Sequence, residues 1–101
     1  MKTISTINPA TNQPLTTWDQ LDDTQALACV DQAASTWMSW RNVSLADRAV
    51  PLLRCAALLR ERKDSLAVLM AREMGKPVRQ GVAEAEKCAW VCEYYAGQAE
   101  A

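Results

Sequence analysis

The residues best equipped for chemistry in this sequence are four cysteines, Cys29, Cys55, Cys88 and Cys92. A thiolate can act as a nucleophile, a soft metal ligand or a redox centre. Each of those roles needs company, and most of it is missing. The chain contains no histidine. That excludes a Ser-His-Asp or Cys-His relay within the chain and any His-ligated metal site. Cys88 and Cys92 stand four residues apart, which is not the CxxC of disulfide oxidoreductases, and no second pair makes them good zinc ligands. All four cysteines read as buried apolar thiols, since free cysteine is among the most buried residue types. Glu84 and Glu86 suggest an acid–base pair, but residues two apart on a helix do not face each other. They read as part of a solvated face. Lys76 follows Gly75 at a helix end, where the dipole favours a cation, and reads as structural. The three glycines (Gly75, Gly81, Gly97) form no GxGxxG or GxxxxGK[ST] phosphate cradle.

The elements that would carry these residues follow from local pattern. Ile4-Ser5-Thr6-Ile7 and Leu15-Thr16-Thr17-Trp18 are β-branched runs around Asn, Pro and Thr turn residues. They predict a short hairpin or wide loop, which is marginal alone and needs something to lie on. Asp23 to Trp40 predicts a helix, with Asp22 as N-cap and Gln25 completing a capping box. Leu27, Val30, Ala34, Trp37 and Met38 fall on one of its faces. A second helix is predicted from Ser44, whose Ser-x-x-Asp pattern is an N-terminal signal. Ala49, Leu52, Leu53, Ala56 and Leu59 repeat along it at helical spacing. Pro51 sits in its interior, so a kink or the loss of one backbone bond is expected. The cluster Arg60-Glu61-Arg62-Lys63-Asp64 marks a solvated band or short break, followed by a stretch carrying Leu66, Leu69 and Met70. Gly75 and then Pro77 form a stop signal. A last helix spans about Val78 to Ala96. Its small face (Ala85, Ala89, Cys92, Ala96) invites close approach of another backbone. Trp90, Tyr94 and Tyr95 point elsewhere, so it needs more than one packing partner, and the chain offers too few.

At 101 residues the chain is one small domain or part of a larger one. Half of it is hydrophobic, enough to build a core. The net charge of −1, from 11 basic and 12 acidic residues, carries no footprint for nucleic acid or an anionic membrane. No run is long and apolar enough for a signal peptide or membrane span. These features predict a cytoplasmic chain with reduced thiols.

Five stretches in order carry a family pattern: Ile7-Asn8-Pro9-Ala10-Thr11; Trp37-Met38-Ser39-Trp40-Arg41 with Arg48-Ala49; Leu58 to Ala67; Glu73-Met74-Gly75-Lys76-Pro77; and Glu84 to Ala96. Together they resemble the N-terminal segment of the aldehyde dehydrogenase superfamily. The wording Met-Gly-Lys-Pro and Lys-Cys-Ala-Trp-Val-Cys-x-Tyr-Tyr-Ala looks most like bacterial NAD(P)-dependent succinate-semialdehyde dehydrogenases. The resemblance covers about Ile4 to Ala101.

It implies a mainly α segment, with an N-terminal β ribbon (1–21) and a helical layer of three to four helices (22–101). That segment would be part of a discontinuous α/β coenzyme-binding domain. It implies that the nucleophilic cysteine, the general-base glutamate, the oxyanion-binding asparagine and the nucleotide loop all lie beyond residue 101. Catalytic and cofactor-binding residues are therefore expected to be absent here, with NAD or NADP used by the parent family and none bound by this segment. It places a monovalent cation between Thr6, Ile7 and Glu73, as main-chain carbonyls plus one carboxylate suit a hard ion; the plain reading of Glu73 is a helix-end carboxylate in water. It also places Glu84, Lys87, Cys88 and Val91 at the rim of an aldehyde tunnel. The implied partner is the rest of an aldehyde dehydrogenase chain, with self-association through exposed apolar surface where that is missing. Two other readings compete: a stand-alone helical interaction module without catalysis, and an independent thiol–metal or redox protein.

Overall fold

A computed structural model describes all residues, Met1–Ala101. Two antiparallel strands, β1 (Thr3–Ile7) and β2 (Pro14–Asp19), precede four helices. These are α1 (Asp23–Trp40), α2 (Leu45–Glu61), α3 (Lys63–Met74) and α4 (Val78–Gln98). The expected ribbon and helices are all present, each strand a little longer than its β-branched core.

Each recognisable motif turns out to be a joint. In the Asn-Pro-Ala-Thr turn, the Asn8 side chain accepts from the Ala10 amide at 2.9 Å, and the Asn8 amide donates to the Gln13 carbonyl at 2.9 Å. Asn12 takes the left-handed conformation (φ 57°) that asparagine tolerates. This turn seats Pro9 against Gly75. Gly75 ends α3 at φ 71°, and a Cβ there would stand 3.1 Å from the Pro9 ring. The Asn-Pro and Met-Gly-Lys-Pro stretches are thus two sides of one contact, which ties β1 to α3.

The Trp-Arg…Arg motif is a second joint. Arg48 donates to the Arg41 carbonyl at 2.7 Å and to the Val43 carbonyl at 2.9 Å. Its guanidinium also lies 5.8 Å from the Trp37 ring and 5.9 Å from the Trp40 ring. One side chain therefore satisfies carbonyls left open at the end of α1 and covers two indoles. Both flanking helices begin as expected. Asp22 and Gln25 form a reciprocal capping box, and Ser44 accepts from the Asp47 amide at 3.1 Å. α2 continues through Pro51, whose missing N–H leaves the Asp47 carbonyl without its helical donor. α2 and α3 are parted by a break at Arg62 (φ −102°, ψ 9°).

The core is made of small residues only. Ala56, Ala67, Gly81, Ala85 and Ala89 are the buried positions, drawn from α2, α3 and α4. Without large side chains between them the three helices approach closely: a Cβ on Gly81 would lie 2.9 Å from the Ala67 backbone. The expected small face of α4 is this contact, extended by Gly81 at its start.

Most other residues are exposed. Leu27, Val30, Trp37 and Met38 on α1 are each at least half exposed, as are Trp90, Tyr94 and Tyr95 on α4. α1 shares no extended contact with any other element. The expectation of buried cysteines is corrected here: Cys29 and Cys55 are exposed, and Cys88 and Cys92 are half-buried. The reason is geometric, because a single layer of helices has no second layer to cover its outer faces. The shape says the same. The chain measures 48 × 39 × 17 Å, and a helix with side chains is itself about 10–12 Å thick. Its radius of gyration is 17.7 Å, where a compact domain of this length has about 13 Å. Its accessible surface is 7912 Å², against about 5,700 Å² for a compact monomer of its mass. The excess of roughly 2,200 Å² lies in the range that permanent associations bury.

Candidate functional site

The residues singled out for function fall on two regions of this layer. Thr6 lies in β1, half-buried, with its hydroxyl donating to the Thr16 carbonyl at 3.4 Å. Ile7 ends β1 and is half exposed. Glu73 lies one residue before the end of α3 and is half-buried. The Pro9–Gly75 contact brings the ends of β1 and α3 to the same edge of the layer. Three or more His, Cys, Asp or Glu side chains nowhere converge to hold a metal ion. A cation at this edge would rely on main-chain carbonyls plus Glu73.

Glu84, Lys87, Cys88 and Val91 recur at helical spacing on α4, beside the face that carries Gly81, Ala85 and Ala89. Glu84, Lys87 and Val91 are exposed and Cys88 is half-buried. Glu84 lies 3.6 Å from Lys76, which ties this face to the Gly-Lys-Pro turn. The face combines two charged side chains, a thiol and an apolar residue, and all but Cys88 are exposed.

Glu86 departs from the solvated-face expectation. It accepts from Lys63 at 2.8 Å and from Arg60 at 3.2 Å. Arg60 also forks onto both carboxylate oxygens of Glu93, with its Nη2 at 3.0 Å from Oε2. The break between α2 and α3 thus places two cations opposite two carboxylates on α4. Local patterning could not show this, because the partners lie 23, 26 and 33 residues apart. The hydrogen bond from Lys63 holds the Glu86 carboxyl below its ordinary range, and the one from Arg60 does the same for Glu93. Hydrogen bonds to Glu93 and Glu86 raise Arg60 and Lys63 respectively.

A pH dependence follows. Lowered carboxylates contribute stability above their unfolded pKa and lose it as pH falls through the folded one. Melting midpoints should therefore drop as pH falls through and below the usual carboxylate range. The raised Arg60 and Lys63 contribute fully below their unfolded values and lose that contribution only at strongly alkaline pH. All four side chains are about two-fifths exposed, so the effect is small and screened by salt. Circular-dichroism melts of the wild type and of Glu86→Gln/Glu93→Gln test this; an equal acid-side slope in both would exclude the network as its cause.

What this arrangement can do chemically is limited. The chain supplies a helical layer with a largely uncovered outer surface, and its cysteines lie along helix faces. The sequence model of the aldehyde dehydrogenase family matches residues 1–101, and the chain belongs to that family.

The individual relatives narrow this further. A probable NADP-dependent succinate-semialdehyde dehydrogenase of Synechocystis sp. is 42% identical over 97 residues, covering 96% of this chain and 21% of that protein. Among solved structures, Gox0499 superposes with a TM-score of 0.93 at 32% identity, covering 99% of this chain and 22% of its own. The succinic semialdehyde dehydrogenase of Streptococcus pyogenes, solved with NADP+, gives 0.89 at 32% identity, covering 95% and 21%. The chain spans about a fifth of the length of these relatives and corresponds to the N-terminal part of the aldehyde dehydrogenase fold. The family match and the uncovered layer together disfavour a self-sufficient interaction module. No helix is long and apolar enough to cross a membrane.

Proposed function

We propose that this chain is the framing layer of the coenzyme-binding domain of an NAD(P)-dependent aldehyde dehydrogenase whose parent reaction oxidises succinate semialdehyde to the carboxylate. By itself it is inactive and binds neither NAD nor NADP. The observation that carries this reading is the uncovered layer, which exposes roughly 2,200 Å² more than a compact monomer would. Its partner is the remainder of an aldehyde dehydrogenase chain. Without that cover, the exposed faces of α1 and α4 drive self-association.

Within the assembled enzyme, Thr6, Ile7 and Glu73 hold a monovalent cation at the ribbon edge. The meeting of β1 with the end of α3 supports this. Glu84, Lys87, Cys88 and Val91 border the aldehyde entrance, supported by their shared, uncovered face on α4. The parent chemistry is thiol attack on the aldehyde, hydride transfer to nicotinamide and hydrolysis of the thioester. It belongs to groups outside this chain, whose part is to position them.

The test is a chimera in which residues 1–101 replace the matching segment of the Synechocystis relative. It should oxidise succinate semialdehyde with NADP at a rate within about tenfold of that relative, a barrier change of about 1.4 kcal/mol. Val91→Trp in the chimera should raise KM for the aldehyde and leave KM for NADP unchanged. A soluble, correctly assembled chimera with no aldehyde oxidation would sink the proposal.

A further inference from the structure

Cys55 on α2 and Cys92 on α4 have no role in that framing function, yet they are not scattered. α2 and α4 form the most extensive helix pairing in the chain, with Ala56 and Ala89 buried in it. Lys63 meets Glu86, whereas the earlier Arg60 reaches both Glu86 and Glu93. α2 advances as α4 recedes, so the two helices run antiparallel. At 3.6 residues per turn, Glu86 and Glu93 lie on one flank of Ala89, while Cys88 and Cys92 lie on the other. Arg60 and Cys55 likewise lie on opposite flanks of Ala56, about 140° apart. Antiparallel packing brings like flanks together. The flank that Arg60 shares with the glutamates is occupied by ion pairs. The opposite flank therefore carries Cys55 against α4, and the same register sets Cys92 within one turn of it, with Cys88 a turn further off. Cys55 is near enough to be among the groups that push the Cys92 thiol up, after burial itself.

We propose that Cys55 and Cys92 are an oxidation-sensitive pair that closes into a disulfide stapling α2 to α4. Hydrogen peroxide is the oxidant. Cys55, the more exposed thiol, is the entry point. Its sulfur attacks the peroxide, the O–O bond breaks, and a sulfenic acid and water form. The Cys92 sulfur then displaces hydroxide from the Cys55 sulfur. An S–S bond forms, the S–O bond breaks, and the Cys92 proton leaves with the hydroxide as water. Both thiols are oxidised and one peroxide is reduced. Burial, the largest influence, and then Cys55 push the Cys92 thiol up, so Cys92 is the poorer first target for peroxide. Ala56 and Ala89, small and buried at the contact, put no bulky side chain between the two helices. The α2–α3 break and all of α3 lie inside the loop so closed, so the staple would hold the helical layer together before its cover arrives.

The test treats the dilute 101-residue chain with hydrogen peroxide, blocks remaining thiols and digests with trypsin. Cleavage after Arg54, Arg60 and Lys87 separates the peptide Cys55–Arg60 from Cys88–Ala101. The expected product is a monomer lighter by two hydrogens, with those two peptides linked and released by reductant. Cys88→Ser should keep the link and Cys92→Ser should lose it. In concentrated guanidinium chloride the preference should vanish and other pairings appear. A link that survives Cys92→Ser, a disulfide-linked dimer as the main product, or cysteines that only gain oxygen would each overturn the proposal. None of these outcomes depends on aldehyde oxidation, so the staple and the framing function fail or stand separately.

Discussion

Gly81→Ala should destabilise the helical layer, although an alanine in a helix is ordinarily an improvement. Helix propensity alone favours the change by about 1 kcal/mol. Packing opposes it, since the new Cβ would stand 2.9 Å from both the Ala67 Cα and its Cβ. Both atoms belong to a buried residue on α3, and a backbone atom cannot swing aside as a long side chain can. Overpacking of this kind costs about 1–3 kcal/mol, so the clash wins or, at the low end, breaks even. A net loss of about 1 kcal/mol would lower the melting midpoint by roughly 4–8 °C in a domain of this size. Gly81→Val should be worse, since it adds bulk in the same place. Gly97→Ala is the built-in contrast: nothing lies within 4 Å of a Cβ there, and it sits in the same helix. It should raise helix content slightly. Thermal melts followed by circular dichroism compare the three. Equal responses at Gly81 and Gly97 would show that the close α3–α4 contact does not form.

Pro51→Ala should act in the opposite direction. Pro51 is exposed and lies seven residues into α2, well past the first turn where proline is tolerated. A proline in a helix interior is unfavourable by about 3 kcal/mol relative to alanine. Part of that returns through the unfolded state, which proline restricts by about 0.4–1 kcal/mol. The expected net gain is about 2 kcal/mol, because the Asp47 carbonyl recovers a donor and the ring no longer crowds it. An exposed site leaves nothing on the opposite side to clash with. The melting midpoint should rise by roughly 8–15 °C. A fall on substitution would mean that α2 needs proline at position 51 to lie along α4.

Much of this was legible in the sequence, for reasons that can be assigned residue by residue. Asp22, Gln25 and Ser44 start helices through contacts three residues long, and Gly75 stops one through its own backbone. Such signals need no tertiary context. The charge cluster around Arg62 allowed a solvated band or a short break, and the break is what forms. The Arg60–Glu86–Glu93–Lys63 network was not legible, because opposite charges 23 or more residues apart have no local signature. The cysteines were misread for a related reason. Burial statistics describe residues in finished domains, and this chain is one layer thick. The same incompleteness limits the site. Thr6, Ile7 and Glu73 come to one edge of the layer and the Glu84–Val91 face to a largely open surface. The motifs that carry the family resemblance proved to be structural joints, Pro9 on Gly75 and Arg48 under Trp37 and Trp40. They identify the fold through the joints that hold it together.

The central claim is that this layer is built to be covered by the rest of an aldehyde dehydrogenase. The most direct measurement co-expresses residues 1–101 with the complementary remainder of the Streptococcus pyogenes relative, each as a separate chain. The predicted result is a one-to-one complex that co-purifies, loses the exposed-surface dye binding of the 101-residue chain alone, and reduces NADP with succinate semialdehyde. Neither chain should do so by itself. If the 101-residue chain instead sediments as a clean monomer, melts sharply and ignores the remainder, it is a closed domain in its own right and the account is wrong.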